Sequence, residues 1–139
     1  MPVFGKRSYR NLETCHKDIQ DVLKTAIKYK DFSVLEGHRS EHDQNYYYKL
    51  GRSKVKYPNS KHNSNPSLAV DVAPYPIDWK DRDRFVALVY FIQGIAMARG
   101  IKIRLGADWN DDLRFTEKFQ DLPHLELHSK LIDGEWVRY

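Results

Sequence analysis

The chain has 139 residues, of which 41% are apolar and 30% charged, and its formal net charge is +4. That is the length of one domain, with enough apolar mass for a core. No apolar run reaches the roughly 18 residues of a bilayer-crossing helix, and the single cysteine, Cys15, excludes an internal disulfide.

The segment Met1-Pro-Val-Phe-Gly-Lys-Arg has no apolar core after its basic residues, so no signal peptide is expected and the chain should start in the cytoplasm. Lys54, Lys56 and Lys61 are spread through one loop, and acids interleave elsewhere. A nucleic-acid footprint concentrates charge on one face. Neither nucleic acid nor a membrane interior is therefore an expected partner.

Residues 1–10 read as an extended arm. Asn11 reads as the N-cap of a helix running to Lys30, with Leu12, Cys15, Ile19, Val22, Leu23 and Ala26 on its apolar face. Cys15 is expected there as a packed thiol. Phe32–Glu36 is a short strand that enters the turn Gly37-His-Arg-Ser. Residues 41–50 read as a helix with Leu50 buried and Gly51 at its end. A long polar connection, Gly51–Ser67, feeds an apolar strand, Leu68–Ala73.

Asp81 is placed to cap a helix over Arg82–Arg99. Phe85, Leu88, Val89, Ile92 and Ile95 form its stripe, and Val86, Tyr90, Phe91 and Met97 widen it, which predicts a helix buried almost all round. Ile101, Ile103 and Leu105 alternate with Lys102 and Arg104 in a half-exposed strand. A polar loop from Gly106 precedes a further strand over Leu122–Ser129, and Asp133-Gly134 marks a hairpin to Tyr139. The expected fold is α+β: one small domain over residues 1–139, an antiparallel sheet with helices packed on one side.

Asp71 interrupts the apolar strand Leu68–Ala73. A carboxylate on a mostly buried strand needs a cation, a metal or several N–H donors. His62 lies nearby in the chain. On the Leu122–Ser129 strand, His124, Glu126 and His128 share one face and Leu125 and Leu127 the other. His124 can thus meet His62 and Asp71. Two imidazoles and a carboxylate leave a fourth position for water, the coordination of a catalytic zinc. Asp121 is the candidate to take that water's proton, and Arg39 to stabilise a developing oxyanion. Glu126 and His128 are read as outside the ligand set. Asp108 either holds a ligating histidine or caps a turn.

Three stretches carry a family resemblance: Ser60-Lys-His62, Ser67-Leu-Ala-Val-Asp71-Val-Ala-Pro, and Asp121-Leu-Pro-His124-Leu-Glu-Leu. Together they resemble the zinc peptidases of the D-Ala-D-Ala carboxypeptidase and L-alanoyl-D-glutamate endopeptidase group, the phage endolysins above all. Glu36-Gly-His-Arg-Ser with Gln44, and Gly106-Ala-Asp-Trp-Asn, are also typical of that group. The resemblance implies one zinc ion held by His62, Asp71 and His124, with Asp121 as general base. It also implies that Arg39 contacts the substrate carbonyl and that Ser60 helps hold substrate. The implied substrate is bacterial peptidoglycan, cut in its stem peptides at L-Ala–D-Glu during host lysis. The loop between His62 and Asp71 is longer than in many relatives and carries Pro66.

A monomer is expected, without a separate wall-binding domain. It would wait in the host cytoplasm until a membrane-permeabilising protein releases it. The competing expectations are a D-Ala-D-Ala carboxypeptidase and a non-catalytic module that uses zinc structurally. Asp121 beside His124 argues against the second, since a structural site needs no base.

Overall fold

A computed structural model describes residues 1–117 and 120–139. Its elements are α1 (Lys6–Glu13), α2 (Lys17–Ala26), β1 (Phe32–Glu36), α3 (Glu41–Lys49), a 3-10 turn (Lys61–Asn63), β2 (Ala69–Pro74), α4 (Arg82–Ala98), β3 (Ile101–Leu105), β4 (His124–Ile132) and β5 (Glu135–Arg138). The strands form one antiparallel sheet in the order β1-β2-β4-β3, with β5 hairpinned onto β4.

Strand alternation sorts the two faces. Val70 and Val72 of β2, Ile103 and Leu105 of β3, and Leu125 and Leu127 of β4 join Ile19, Val22, Leu23, Leu88, Val89 and Ile92 in a single core. So α1, α2 and α4 cover one face, as expected for an α+β domain. The other face is left to polar side chains of β2 and β4.

Several local expectations are corrected. Residues 1–10 are not an extended arm, because α1 begins at Lys6. Ser8 is buried on this helix and its hydroxyl accepts from the Val34 N–H at 3.0 Å, so a polar contact docks α1 and apolar periodicity does not reveal it. Asn11 lies inside α1 rather than capping it, and its amide donates to the carbonyls of Val34 and Leu35.

The single helix expected over residues 11–30 is two. Thr14 and His16 each spend a peptide group on Ser67: Ser67 N–H donates to Thr14 O at 2.9 Å and His16 N–H to Ser67 O at 2.8 Å. Cys15 sits in that break, buried, and not on a helix. Burial pushes its thiol up to about 12. His16 caps α2 by accepting from the Asp18 N–H.

Leu50 is exposed, since α3 stands away from the core, and Gly51 takes the positive φ of 77° at its end. Finally, α4 is buried on one side only. Phe85, Leu88, Val89, Ile92 and Ala96 face the sheet and α2, whereas Met97 is exposed. Of the residues that widened its stripe, Tyr90 and Phe91 are half-buried against the core, as is Ile95 of the stripe itself.

Candidate active site

Two strands and one turn build the site on the open face of the sheet. Asp71 of β2 and His124 of β4 are direct partners in the antiparallel register. Their side chains therefore emerge side by side. His62 arrives from the 3-10 turn. Ser60 caps that turn, its hydroxyl accepting from the His62 N–H at 3.2 Å while its own N–H donates to Asn63 Oδ1 at 3.1 Å. The Arg39 N–H donates to His62 O at 2.8 Å and fixes the turn against the end of β1.

The hydrogen bonds assign the imidazole protons. His62 Nδ1 lies 2.7 Å from the carbonyl oxygen of Gly37, which can only accept, so Nδ1 carries the proton. Its Nε2 then holds a lone pair, and that buried atom has no hydrogen-bond partner. His124 Nε2 lies 2.9 Å from Glu126 Oε1, so this nitrogen donates and Nδ1 holds the lone pair. Both lone-pair nitrogens face Asp71 Oδ1 at 3.3 Å, and that oxygen also lacks a hydrogen-bond partner. One ligand atom from each residue falls within 4.8 Å of the others.

Three electron pairs pointed at one another in a buried place call for a cation between them. The donor set, two neutral imidazoles and a carboxylate, fits a divalent transition metal with a position to spare. In the metal-free chain a proton takes that role. Burial alone would lower the His124 pKa, but hydrogen bonding to Asp71 and Glu126 pushes it up to about 9. Burial likewise opposes the Asp71 charge, yet the neighbouring imidazoles of His62 and His124 hold this carboxyl below the usual carboxylate range.

The remaining predicted residues line the same cleft, of about 740 Å³, with Arg39, Ser60 and Asp121 around the three histidine and aspartate ligand candidates. Arg39 is immobilised on every side. It pairs with Glu36, donates to Gln44 Oε1 at 2.9 Å, lies 4.8 Å over the Tyr47 ring and approaches Asp71 Oδ2 at 3.9 Å. Gln44 is fully buried, and its amide also donates to Ser53 Oγ and Val55 O, so it ties α3 and the long loop to Arg39. Burial and the neighbouring Asp71 charge raise the Asp121 carboxyl above its ordinary value.

Two glycines allow this convergence. A Cβ on Gly106 would meet Asp121 O at 2.1 Å and His124 Cβ at 2.9 Å. A Cβ on Gly37 would meet Thr14 Oγ1 at 2.3 Å and Asn11 O at 2.5 Å. Each therefore marks a close backbone approach that no other residue permits.

The group that orients His124 is Glu126, not Asp108. Asp108 accepts from Tyr90 OH at 2.6 Å and from the Leu113 N–H at 2.9 Å, which pins its loop. His128 bonds Ser129 Oγ and stands outside the ligand cluster. The alternation of β4 puts Glu126 on the His124 face, but only the geometry shows the two bonded within one strand. Gln44 and the two glycines carry no chemical signal in the sequence beyond their place in the resemblance.

The raised His124 pKa makes a stability prediction for chelator-treated protein. Below about 6.5, the ordinary histidine value, the proton is held in both folded and unfolded chains. Between there and about 9 only the folded chain holds it, so stability falls as pH rises and this contribution is lost by about 9. Thermal denaturation should show Tm decreasing from pH 6.5 to 9; a constant or rising Tm would contradict the proton assignment.

The chain is similar to known proteins in sequence and in fold. A family model described as "Phage L-alanyl-D-glutamate peptidase" matches residues 2–128. The L-alanyl-D-glutamate peptidase of Escherichia phage T5 is 35% identical over 113 residues, covering 77% of this chain and 81% of that protein. The crystal structure of the Serratia marcescens L-Ala D-Glu endopeptidase ChiX superposes with a TM-score of 0.72 at 28% identity, covering 90% of each chain. The chain belongs to the phage L-alanyl-D-glutamate peptidase family.

Proposed function

We propose that this protein is a zinc-dependent endopeptidase that cuts the L-Ala–D-Glu bond of peptidoglycan stem peptides, acting as a phage endolysin in host lysis. The observation that carries the reading is the convergence of His62 Nε2, His124 Nδ1 and Asp71 Oδ1, beside Asp121 and Arg39 in one cleft. His62, Asp71 and His124 hold the zinc. When bound, zinc supplies a fixed positive charge that acidifies water and polarises a carbonyl.

The chain's own groups do the rest. Asp121 accepts the proton of the attacking water as its oxygen bonds to the L-Ala carbonyl carbon. Asp121 then gives that proton to the D-Glu nitrogen as the C–N bond breaks. Its raised pKa suits a group that must both take and return a proton. The Arg39 guanidinium, held by Glu36, Gln44 and Tyr47, faces the negative charge that grows on the carbonyl oxygen. Ser60 holds the His62 turn and presents its edge to substrate.

No helix among the described residues is long and apolar enough to cross a membrane. We read the chain as a monomeric, single-domain enzyme that reaches the wall from the host cytoplasm when a separate protein permeabilises the membrane.

Digested peptidoglycan, analysed by mass spectrometry, should release peptides with a new amino-terminal D-Glu or its amide and leave the glycan strands intact. New reducing sugar ends, or free D-Ala alone, would refute the bond assignment, and free D-Ala would favour a carboxypeptidase.

Asp121→Ala should retain zinc, because His62, Asp71 and His124 remain. Its kcat should fall by at least about a hundredfold, the scale of a general acid–base group, with KM little changed. Near-normal turnover at normal zinc content would remove Asp121 from the base role.

A further inference from the structure

One end of the cleft carries more positive charge than the protein itself neutralises. Lys61, Arg104 and Arg138 line it together with Glu126. Of the cleft's other carboxylates, Glu36 is engaged with Arg39, and Asp71 and Asp121 belong to the centre. Glu126 therefore faces these cations by itself, and it already accepts the His124 proton at 2.9 Å.

Its contacts to the cations are long: 3.6 Å to Lys61 Nζ and 3.9 Å to Arg104 Nε. Neither cation is consumed by that carboxylate. Arg104 stands opposite Glu126 in the β3–β4 register, 45% exposed, its guanidinium propped 5.2 Å over the Trp109 ring. Lys61 is steadied by donating to Leu127 O at 2.8 Å, and Arg138 by donating to His128 O at 3.1 Å. Each is positioned by one contact of its charged group, and an ammonium with three N–H donors or a guanidinium with five keeps further donors for the cleft. The imidazole of His128 registers the same field: burial and then the charges of Arg138, Lys61, Arg104 and Lys102 push its pKa down.

We infer that Lys61, Arg104 and Arg138 form a carboxylate subsite for the half of the substrate that departs with the amine. The inference rests on the L-Ala–D-Glu reading above. In that half, the carbon bearing the scissile nitrogen also bears a carboxylate, because D-Glu is joined onward through its side chain. The following residue can offer a second one. Either is the free anion that clustered guanidinium and ammonium groups recognise. Amidation would replace its charge with a neutral amide that these cations bind weakly. The subsite would thus make the enzyme selective for unamidated stem peptides.

The test uses zinc-loaded full-length protein and three defined stem peptides. One has both carboxylates free, one is amidated at D-Glu and one at the next residue. Wild type should cleave the free peptide with kcat/KM at least about tenfold above one of the amidated peptides, the scale of a charge-assisted contact. Which amide is penalised identifies the carboxylate bound. Arg104→Gln and Arg138→Gln should shrink that ratio to within about twofold, and Arg104→Lys should keep most of it. Reading a ratio removes any loss that a variant imposes on all substrates alike. Equal cleavage of the three peptides by wild type, or a proportionate loss on all three in the variants, would overturn the subsite. Failure of wild type to cut any of them at L-Ala–D-Glu would instead overturn the scissile-bond reading on which it rests.

Discussion

The site depends on the pairing of Asp71 with His124 across β2 and β4. That register sets a carboxylate and an imidazole side by side on the open face of the sheet. Each histidine is then locked by a partner on its far nitrogen, Gly37 O for His62 and Glu126 for His124. Neither ring can turn its N–H inward without losing that bond. The result is a lone-pair cluster that stays unsatisfied within the chain and is satisfied by a cation.

The fold provides the rigidity that such a cluster needs. Leu125 and Leu127 alternate with His124 and Glu126, so burying the former under α2 and α4 fixes where the latter point. Val70 and Val72 do the same for Asp71 on β2. A one-residue slip of either strand would send the site into the core and the core residues into water. The same hydrophobic burial that holds the sheet to its helices therefore sets the position of the chemistry. The 3-10 turn and Arg39 are less deeply anchored and depend on polar ties through Ser60, Asn63 and Gln44.

Much of this was legible in the sequence, for identifiable reasons. Strong period-two alternation marked β3 and β4 and put His124 and Glu126 on one face. Asp71 stood out as the single charge in an apolar strand. The short strand Phe32–Glu36 and the cap Asp81 also stand where local chemistry put them. The failures share a cause, which is that tertiary polar contacts override local pattern. Helices α1 and α2 are separated because Thr14 and His16 bond Ser67, far away in the chain. Helix α1 itself docks through Ser8 and Asn11, which carry no apolar signal. Asp108 was the carboxylate read as able to hold a ligating histidine, and only three-dimensional distance shows that Glu126 does so. The close approaches at Gly37 and Gly106 are invisible to composition, since a glycine in a loop has many possible reasons to be there.

The proposed function stands on His62, Asp71 and His124 converging as a metal centre. Calorimetric titration of zinc into chelator-stripped protein at pH 7.5, in buffers of different ionisation enthalpy, tests it most directly. One ion should bind per chain, with net proton release as His124 gives up the proton that Asp71 and Glu126 hold on it up to about 9. Binding should be lost in folded His62→Ala. Absence of binding in the wild type, or binding unchanged by His62→Ala, would contradict it.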